Sequence, residues 1–280
     1  MTCEIDLIAL DDFVEIDSEQ LLESPGVRLV SVDEARENFY YPNACVPIDQ
    51  WRNITSEILG VGTISSDESI SKVGLFNLPT TLKEMLAYAM KKYDRFPPHQ
   101  IQRSQLVESA ADAVKTYVVD RFNSLSVLRE FNGVGFNSPG LETVTINLKF
   151  GQHMGLHYDS WYGTTIKSRL CSRHRIAVNF GPVPRWLLYV PISLQSYVGA
   201  LKTLHPERTF DEMDEIGSVG DCLVHVNPKV RCVKINPGQG YIAATEAIIH
   251  DATTRWATQT TFNYQLLGEF NWLSQNERAV

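Results

Sequence analysis

Hydrophobic and polar positions change their period near the middle of the chain. Upstream, Leu82, Met85, Leu86 and Met90 recur at helical spacing and predict a helix over Leu82 to Tyr93, ended by FPPHQ. A second helix is predicted from about Ser104 to Phe122, with Leu106, Ala110, Val114, Tyr117 and Val118 on one face and charges between them. The pattern before these helices is mixed. It predicts a short helix from Asp17 to Leu22, a strand over Val27 to Val32 where β-branched residues cluster, and loop with short elements from Tyr40 to Phe76. From Leu141 onward the period becomes two. Val144, Ile146, Leu148 and Phe150 alternate with Thr145, Asn147 and Lys149. GLHYDSW, RIAVNFG, RWLLYVPISL, CLVHVN, RCVKIN, GYIAATEAIIH and TTFNYQLLGEF follow as further strands, interrupted by a charged break from His205 to Glu215. About eight short strands after a helical region predict an α+β fold, a double-sheet jelly roll backed by helices. Residues 1–140 then form a mixed and helical region packed on a core of residues 141–280, the two integrated in one domain.

Composition narrows the class without choosing a chemistry. A 280-residue chain with 44% hydrophobic and 21% charged residues builds a large soluble core. Its net charge of -8 lacks the basic footprint of a nucleic-acid binder, so neither nucleic acid nor an anionic membrane is expected as a partner. One short basic stretch, Lys167, Arg169, Arg173 and Arg175, is the exception, and His174 within it reads as solvated. Five cysteines without a CxxC pair argue against a disulfide framework or a structural zinc site. The acidic N-terminus lacks the pattern of a signal peptide, and no apolar run is long enough to span a bilayer. A cytoplasmic protein acting on a small molecule is the expectation, and nothing in the sequence fixes its oligomeric state.

The chemistry concentrates in Gly155-Leu156-His157-Tyr158-Asp159-Ser160-Trp161. Residues two apart on a strand share a face, so His157 and Asp159 can meet one metal ion while Tyr158 turns away to pack. His250, at the end of the apolar run YIAATEAII, is placed to supply a third ligand from a neighbouring strand. Two imidazoles and one carboxylate on one face leave half the coordination sphere open, which suits iron(II) activating dioxygen beside a bidentate 2-oxo acid. Zinc usually takes a closed tetrahedron or three ligands plus water. His153 and His157 are four apart, but HMGLH is not HExxH and its glycine opposes a helix. His225 reads as a core or edge-strand histidine.

With these residues in hand, the chain resembles the Fe(II)/2-oxoglutarate-dependent oxygenase superfamily over about Glu142 to Phe270. Within it, HYDSW, RHRIAVNFGPVPRWLLYV and YIAATEAIIHDATT look like bacterial enzymes that hydroxylate or halogenate free amino acids. The resemblance implies a double-stranded β-helix (cupin-like) core, metal ligands His157, Asp159 and His250, and use of Fe(II), 2-oxoglutarate and O2. Halogenases of this group replace the motif's carboxylate with Gly or Ala. With Asp159 in that position, the resemblance implies hydroxylation or a related oxidation, such as desaturation or ring closure, rather than halogenation. The family commonly places a cation for the far carboxylate of 2-oxoglutarate about ten residues after the distal histidine. Here that region is Gln259-Thr260-Thr261, a departure from the pattern. Arg255 and Arg175 are the candidate cations, and Thr260 or Thr245 a candidate hydroxyl contact. Asn147, Trp161 and Glu142 are candidate substrate contacts, Glu142 for an ammonium group. Two other readings stay open on sequence alone: a non-oxidative cupin-like metalloenzyme, and a jelly-roll ligand-binding protein without catalysis.

Overall fold

The computed structural model describes residues 5–10, 20–54, 72–159, 169, 173–207 and 219–272. The strands are β1 (Asp6–Ala9), β2 (Leu21–Ser24), β3 (Val27–Leu29), β4 (Tyr40–Pro47), β5 (Arg52–Asn53), β6 (Lys72–Asn77), β7 (Ser124–Asn137), β8 (Ile146–Asn147), β9 (Gln152–Gly155), β10 (His174–Asn179), β11 (Arg185–Tyr189), β12 (Val230–Ile235), β13 (Gln239–Ala243), β14 (His250–Thr253) and β15 (Thr261–Phe270). The helices are α1 (Val32–Glu37), α2 (Thr80–Lys92), α3 (Pro98–Gln102), α4 (Gln105–Arg121), α5 (Leu194–Leu204) and α6 (Val219–Val226).

Three sheets form. The first runs β1-β6-β13-β10-β15-β7, the second β14-β11-β12-β2-β5, and a smaller third β3-β4-β9-β8. The first sheet mixes strands from both sides of residue 140. Strand alternation sorts its residues between two cores. Ile176, Val178, Tyr264 and Leu266 turn outward and pack under α2 and α4 against Leu86, Met90, Val114 and Val118. Ala177, Tyr241 and Ala243 turn inward and meet Leu187, Tyr189 and Val233 of the second sheet. The outer face of the second sheet, with Leu188 and Cys232, is covered by α5 and α6 through Leu194, Tyr197 and Leu223. The molecule is thus an α+β stack of helices, sheet, sheet and helices. Each large apolar side chain buried in it contributes roughly 1.5–3 kcal/mol.

The two long helices lie within a residue or two of their predicted spans. Ser104 holds the N-cap position of α4 with its hydroxyl donating back to the Ile101 carbonyl at 2.9 Å, and Pro98 opens α3 in the segment read only as a stop. Several other segments differ from the sequence reading. Leu21 and Leu22 lie in a strand, while residues 11–19 are outside the described residues. The strand at Val27 ends at Leu29, because Ser31 and Glu34 form a capping box that starts α1 at Val32. Tyr40–Pro47 and Lys72–Asn77 are strands within a region read as loop.

VTINLKF is paired only at Ile146 and Asn147. The Asn147 side chain accepts from the Lys149 amide at 3.0 Å and its carbonyl accepts from Gly151 at 2.7 Å. That local turn competes with strand continuation and leaves Leu148 in solvent. RWLLYVPISL stops as a strand at Tyr189, and Ser193 caps a helix there. CLVHVN is helical: Cys222 and Leu223 are buried while Val224 and His225 are exposed. A short apolar run does not separate buried strand from buried helix by periodicity alone. His225 is accordingly neither core nor edge strand.

His174 also departs from expectation. It opens β10, is buried, has no hydrogen-bond partner on either ring nitrogen, and stands edge-on to Trp272 at 5.9 Å between ring centroids. Burial alone pushes its pKa down to about 4. Above the unfolded value of 6.5 both states are neutral and pH has no leverage. Below it the unfolded chain takes a proton that the folded chain refuses, so stability falls as the solution is acidified. The expected loss from this residue is about 2 kcal/mol between pH 7 and pH 5. Urea unfolding of wild type and His174→Phe at both pH values checks it. The variant should lose less stability on acidification, and equal losses would refute the assignment.

Candidate metal centre

His157 follows a backbone constraint. Gly155 has φ +72°, and a Cβ there would lie 2.5 Å from the Cys45 carbonyl oxygen. Only glycine supplies this turn without strain. The turn lets the Leu156 amide donate to Cys45 at 2.7 Å and brings the next residue across to β14. There the His157 amide donates to the His250 carbonyl at 3.1 Å, and the His250 amide donates back at 2.8 Å. This two-way bridge sets the imidazoles side by side, with ring centroids 4.9 Å apart. His250 begins β14 and does not end the preceding strand, because residues 244–249 turn between β13 and β14.

Each imidazole is oriented by a carbonyl two residues before it. His157 Nδ1 lies 2.8 Å from the Gly155 carbonyl and His250 Nδ1 lies 3.0 Å from the Ile248 carbonyl. Donation from Nδ1 leaves the lone pair on Nε2, the tautomer a metal ligand requires. Both Nε2 atoms face Asp159: His157 Nε2 is 3.7 Å from Oδ1, and His250 Nε2 is 3.7 Å from Oδ2. These separations exceed hydrogen bonds. One donor atom from each of the three buried residues lies within 4.8 Å of the other two. An ion held at about 2.1 Å from nitrogen and oxygen would draw these donors in to roughly 3.0–3.4 Å from one another.

The electrostatics match such a role. Burial raises the Asp159 carboxyl, but Arg175, His250 and His157 outweigh it and hold the group far below the usual carboxylate range. Burial pushes His250 down to about 3, which keeps it neutral. Burial also lowers His157, but Asp159 and Asp251 more than compensate, so it is raised. Asp251 is itself buried. Its Oδ1 accepts from the amides of Val144, Thr145 and Ala252 and from the Thr145 hydroxyl, and its Oδ2 stands 3.7 Å from His157 Nδ1.

The basic stretch is largely structural. Arg169 is fully buried, with Nη1 donating to the carbonyls of Asp159 and Glu246. Arg173 forms a two-point ion pair with Glu246, at 2.7 and 3.0 Å. Arg175 binds the Asp159 carboxylate through Nη2 and Gln265 through Nη1 at 3.0 Å. It lies in the site, committed to a metal-ligand candidate.

A cavity of about 450 Å³ opens onto the centre, lined among others by His157, Asp159, Arg175, Arg185, Asn263 and Gln265. The structure disperses several other sequence candidates. Arg255 pairs with Asp49 and, at 3.4 Å, with Glu142, which also binds Arg28 at 3.0 Å. Both belong to this partly exposed network and neither lines the cavity. Thr260 lines a separate cavity of about 710 Å³ beneath α2, which contains none of the three donors. Asn147 is tied into its own turn and lines a small pocket behind His157. Thr245 is buried, its carbonyl accepting from the Asp159 amide at 3.0 Å, with no partner for its hydroxyl. Tyr158 packs on Tyr197, ring centroids 5.4 Å apart. Trp161 lies outside the described residues.

Sequence reasoning missed Arg185. It shares the inward face of β11 with Leu187 and Tyr189, is buried, and its Nη1 has no hydrogen-bond partner. Burial lowers its pKa, and nearby Arg175 lowers it further against Tyr241 and Asp251. The signal was present in RWLLYV: a cation two positions from an apolar, inward-facing residue. Among the described residues, Cys45, Cys222 and Cys232 are buried and in no disulfide, and no helix is long and apolar enough to cross a membrane.

No protein-family model and no curated protein matches the chain. Among solved structures it is similar to the Kdo hydroxylase KdoO, a non-heme Fe(II) alphaketoglutarate-dependent dioxygenase, in complex with cobalt(II). The identity is 16%, covering 75% of this chain and 84% of that one, with a TM-score of 0.42. The apo form of KdoO gives 16% identity over 75% and 83%, with a TM-score of 0.43. HygX from Streptomyces hygroscopicus with nickel and 2-oxoglutarate bound gives 14% identity over 70% and 82%, with a TM-score of 0.32. Likenesses this distant carry no argument.

Proposed function

We propose that the chain is an Fe(II)/2-oxoglutarate-dependent oxygenase that hydroxylates a small molecule in the 450 Å³ cavity. The observation that carries this is the convergence of His157, Asp159 and His250 beside a cavity lined by the first two and by a buried arginine, Arg185, whose Nη1 has no partner. The donor set fits iron(II): two imidazole nitrogens and one carboxylate, with no fourth protein ligand among the described residues. The strand orders β7-β15-β10-β13 and β14-β11-β12 support a double-stranded β-helix, since they interleave early and late strands in two facing sheets.

When bound, iron(II) with 2-oxoglutarate and O2 supplies the oxidising power, and the overall reaction converts R–H, 2-oxoglutarate and O2 to R–OH, succinate and CO2. The chain's own part is placement. Gly155 and the Ile248 carbonyl fix the two imidazoles, and Arg175 fixes Asp159. Arg185 takes the far carboxylate of 2-oxoglutarate, the role that the sequence reading gave to Arg255 or Arg175. A buried guanidinium whose Nη1 has no hydrogen-bond partner calls for a carboxylate, which it can bind at two points. The sandwich interior keeps bulk water from these charges, so each ion pair is stronger than at the surface.

The test is anaerobic loading with Fe(II), followed by 2-oxoglutarate, O2 and a panel of small molecules. Mass spectrometry then reads succinate and a substrate gain of one oxygen. Succinate that depends on iron and O2 is the expected result. Tight stoichiometric zinc with no O2 consumption would sink the proposal in favour of a non-oxidative metalloenzyme.

A further inference from the structure

The cavity of about 710 Å³ has no part in the metal centre. It opens where α2 and α3 meet the connections that join β10 to β11, β12 to β13 and β14 to β15. Strand β15 divides it from the centre: Phe262 lines this cavity, while Asn263 and Gln265 line the one beside His157. Its floor is apolar, made by Leu86, Met90, Ile101, Phe180 and Phe262. Protein interiors leave few voids larger than a water molecule. A recess of roughly 300–1,000 Å³ with an apolar lining and a few polar groups is the form a small-molecule site takes.

The walls are held open by main-chain bonds. The Gly238 amide donates to the Asn179 carbonyl at 3.0 Å, and its carbonyl accepts from the Leu78 amide at 2.9 Å. The Gly181 amide donates to Asn179 Oδ1 at 2.9 Å. Gly238 has φ +73°, and a Cβ there would lie 2.6 Å from Lys83 Cγ, so the Lys83 stem rests directly on this turn. Its ammonium donates to Asn77 Oδ1 at 2.9 Å, which leaves two of its three N–H donors for another acceptor. Lys91 and Asp94 are exposed at the mouth. Neither lysine pairs with a carboxylate among the described residues. Two ammonium groups against one carboxylate give the lining a net positive charge, in a chain whose net charge is -8. The floor selects an apolar body and the charge selects one anionic group.

We propose that this cavity is a second small-molecule site, for a monoanion whose apolar body lies on the Leu86–Phe262 floor and whose anionic group meets Lys83. The assignment is independent of the oxygenase reading, because it uses no residue of the metal centre.

Calorimetric titration of the full chain with 2-naphthoate, benzoate and 2-naphthamide tests it, with neither metal nor 2-oxoglutarate added. Benzoate lacks the second ring and the amide lacks the charge. The extra ring on the apolar floor should make 2-naphthoate bind about tenfold more tightly than benzoate. Its charge should make it bind about fivefold more tightly than 2-naphthamide. In Lys83→Gln the acid and the amide should bind alike. Ala87→Trp, at an exposed lining position of α2, should obstruct the cavity without repacking the core and weaken both naphthyl compounds on the order of tenfold or more. In Arg185→Gln, affinity for 2-naphthoate should stay within about twofold of wild type, since that residue lines the other cavity. Thermal unfolding controls for folding of each variant. No binding of 2-naphthoate at millimolar concentration, equal affinity for acid and amide in the wild type, a preference that survives Lys83→Gln, or loss of binding in Arg185→Gln and not in Ala87→Trp overturns the assignment.

Discussion

His250→Ala is expected to lower affinity for Fe(II), or for Co(II) as a spectroscopic substitute, on the order of 10²–10³-fold, and to bring succinate formation to background. The magnitude follows from three protein ligands sharing the binding energy of a site of this kind. His250 is neutral in the folded protein, so its nitrogen needs no proton removed before it binds. The side chain is not needed for the local backbone, because the bridge to His157 uses main-chain atoms only. The variant should therefore remain folded, with thermal unfolding as the control. Wild-type metal affinity in a folded His250→Ala protein would remove the basis of the functional reading.

Arg185→Gln should raise the dissociation constant for 2-oxoglutarate on the order of 10²-fold while leaving metal affinity nearly unchanged. Its effect without 2-oxoglutarate should have the opposite sign. A buried guanidinium lacking a full set of acceptors is a cost to the folded state, and the amide replaces it with a neutral group. The variant should thus melt at or above the wild-type temperature when no 2-oxoglutarate is present, and lose the rise in melting temperature that saturating 2-oxoglutarate gives the wild type. Arg255→Gln, which removes only a partly exposed pair with Asp49 and Glu142, should change 2-oxoglutarate affinity less than about twofold. If Arg255→Gln weakens binding and Arg185→Gln does not, the two arginines exchange roles.

The sequence made the centre legible to the extent that its chemistry follows from local geometry. His157 and Asp159 are two apart beside a strand, and that spacing alone places both on one face. His250 was found by its position after an apolar run, although the chain reverses before it and the histidine opens a strand. Helices α2 and α4 were legible because their apolar stripes are long. CLVHVN and VTINLKF were not, because apolar runs of a few residues fit a buried helix or a turn as well as a strand, and tertiary packing decides between them. Arg185, proposed above for the far carboxylate, was passed over for a different reason. Arg255 is nearest to His250 along the chain, but Arg185 enters the same cavity from a strand 65 positions upstream, brought beside β14 by the pairing of Tyr189 with His250. Chain distance carries no information about that pairing.

The reciprocal amide bridge between His157 and His250 has a consequence for how the centre can be tuned. The gap between the two imidazoles belongs to the backbone ladder, so it is inherited by every variant that keeps the ladder and cannot be widened by swapping neighbouring side chains. On the proposed reading, adaptation to a larger or smaller ion would be left to Asp159, whose reach depends on the grip of Arg175. Selectivity among metals would then be concentrated in a single adjustable carboxylate set against a fixed pair.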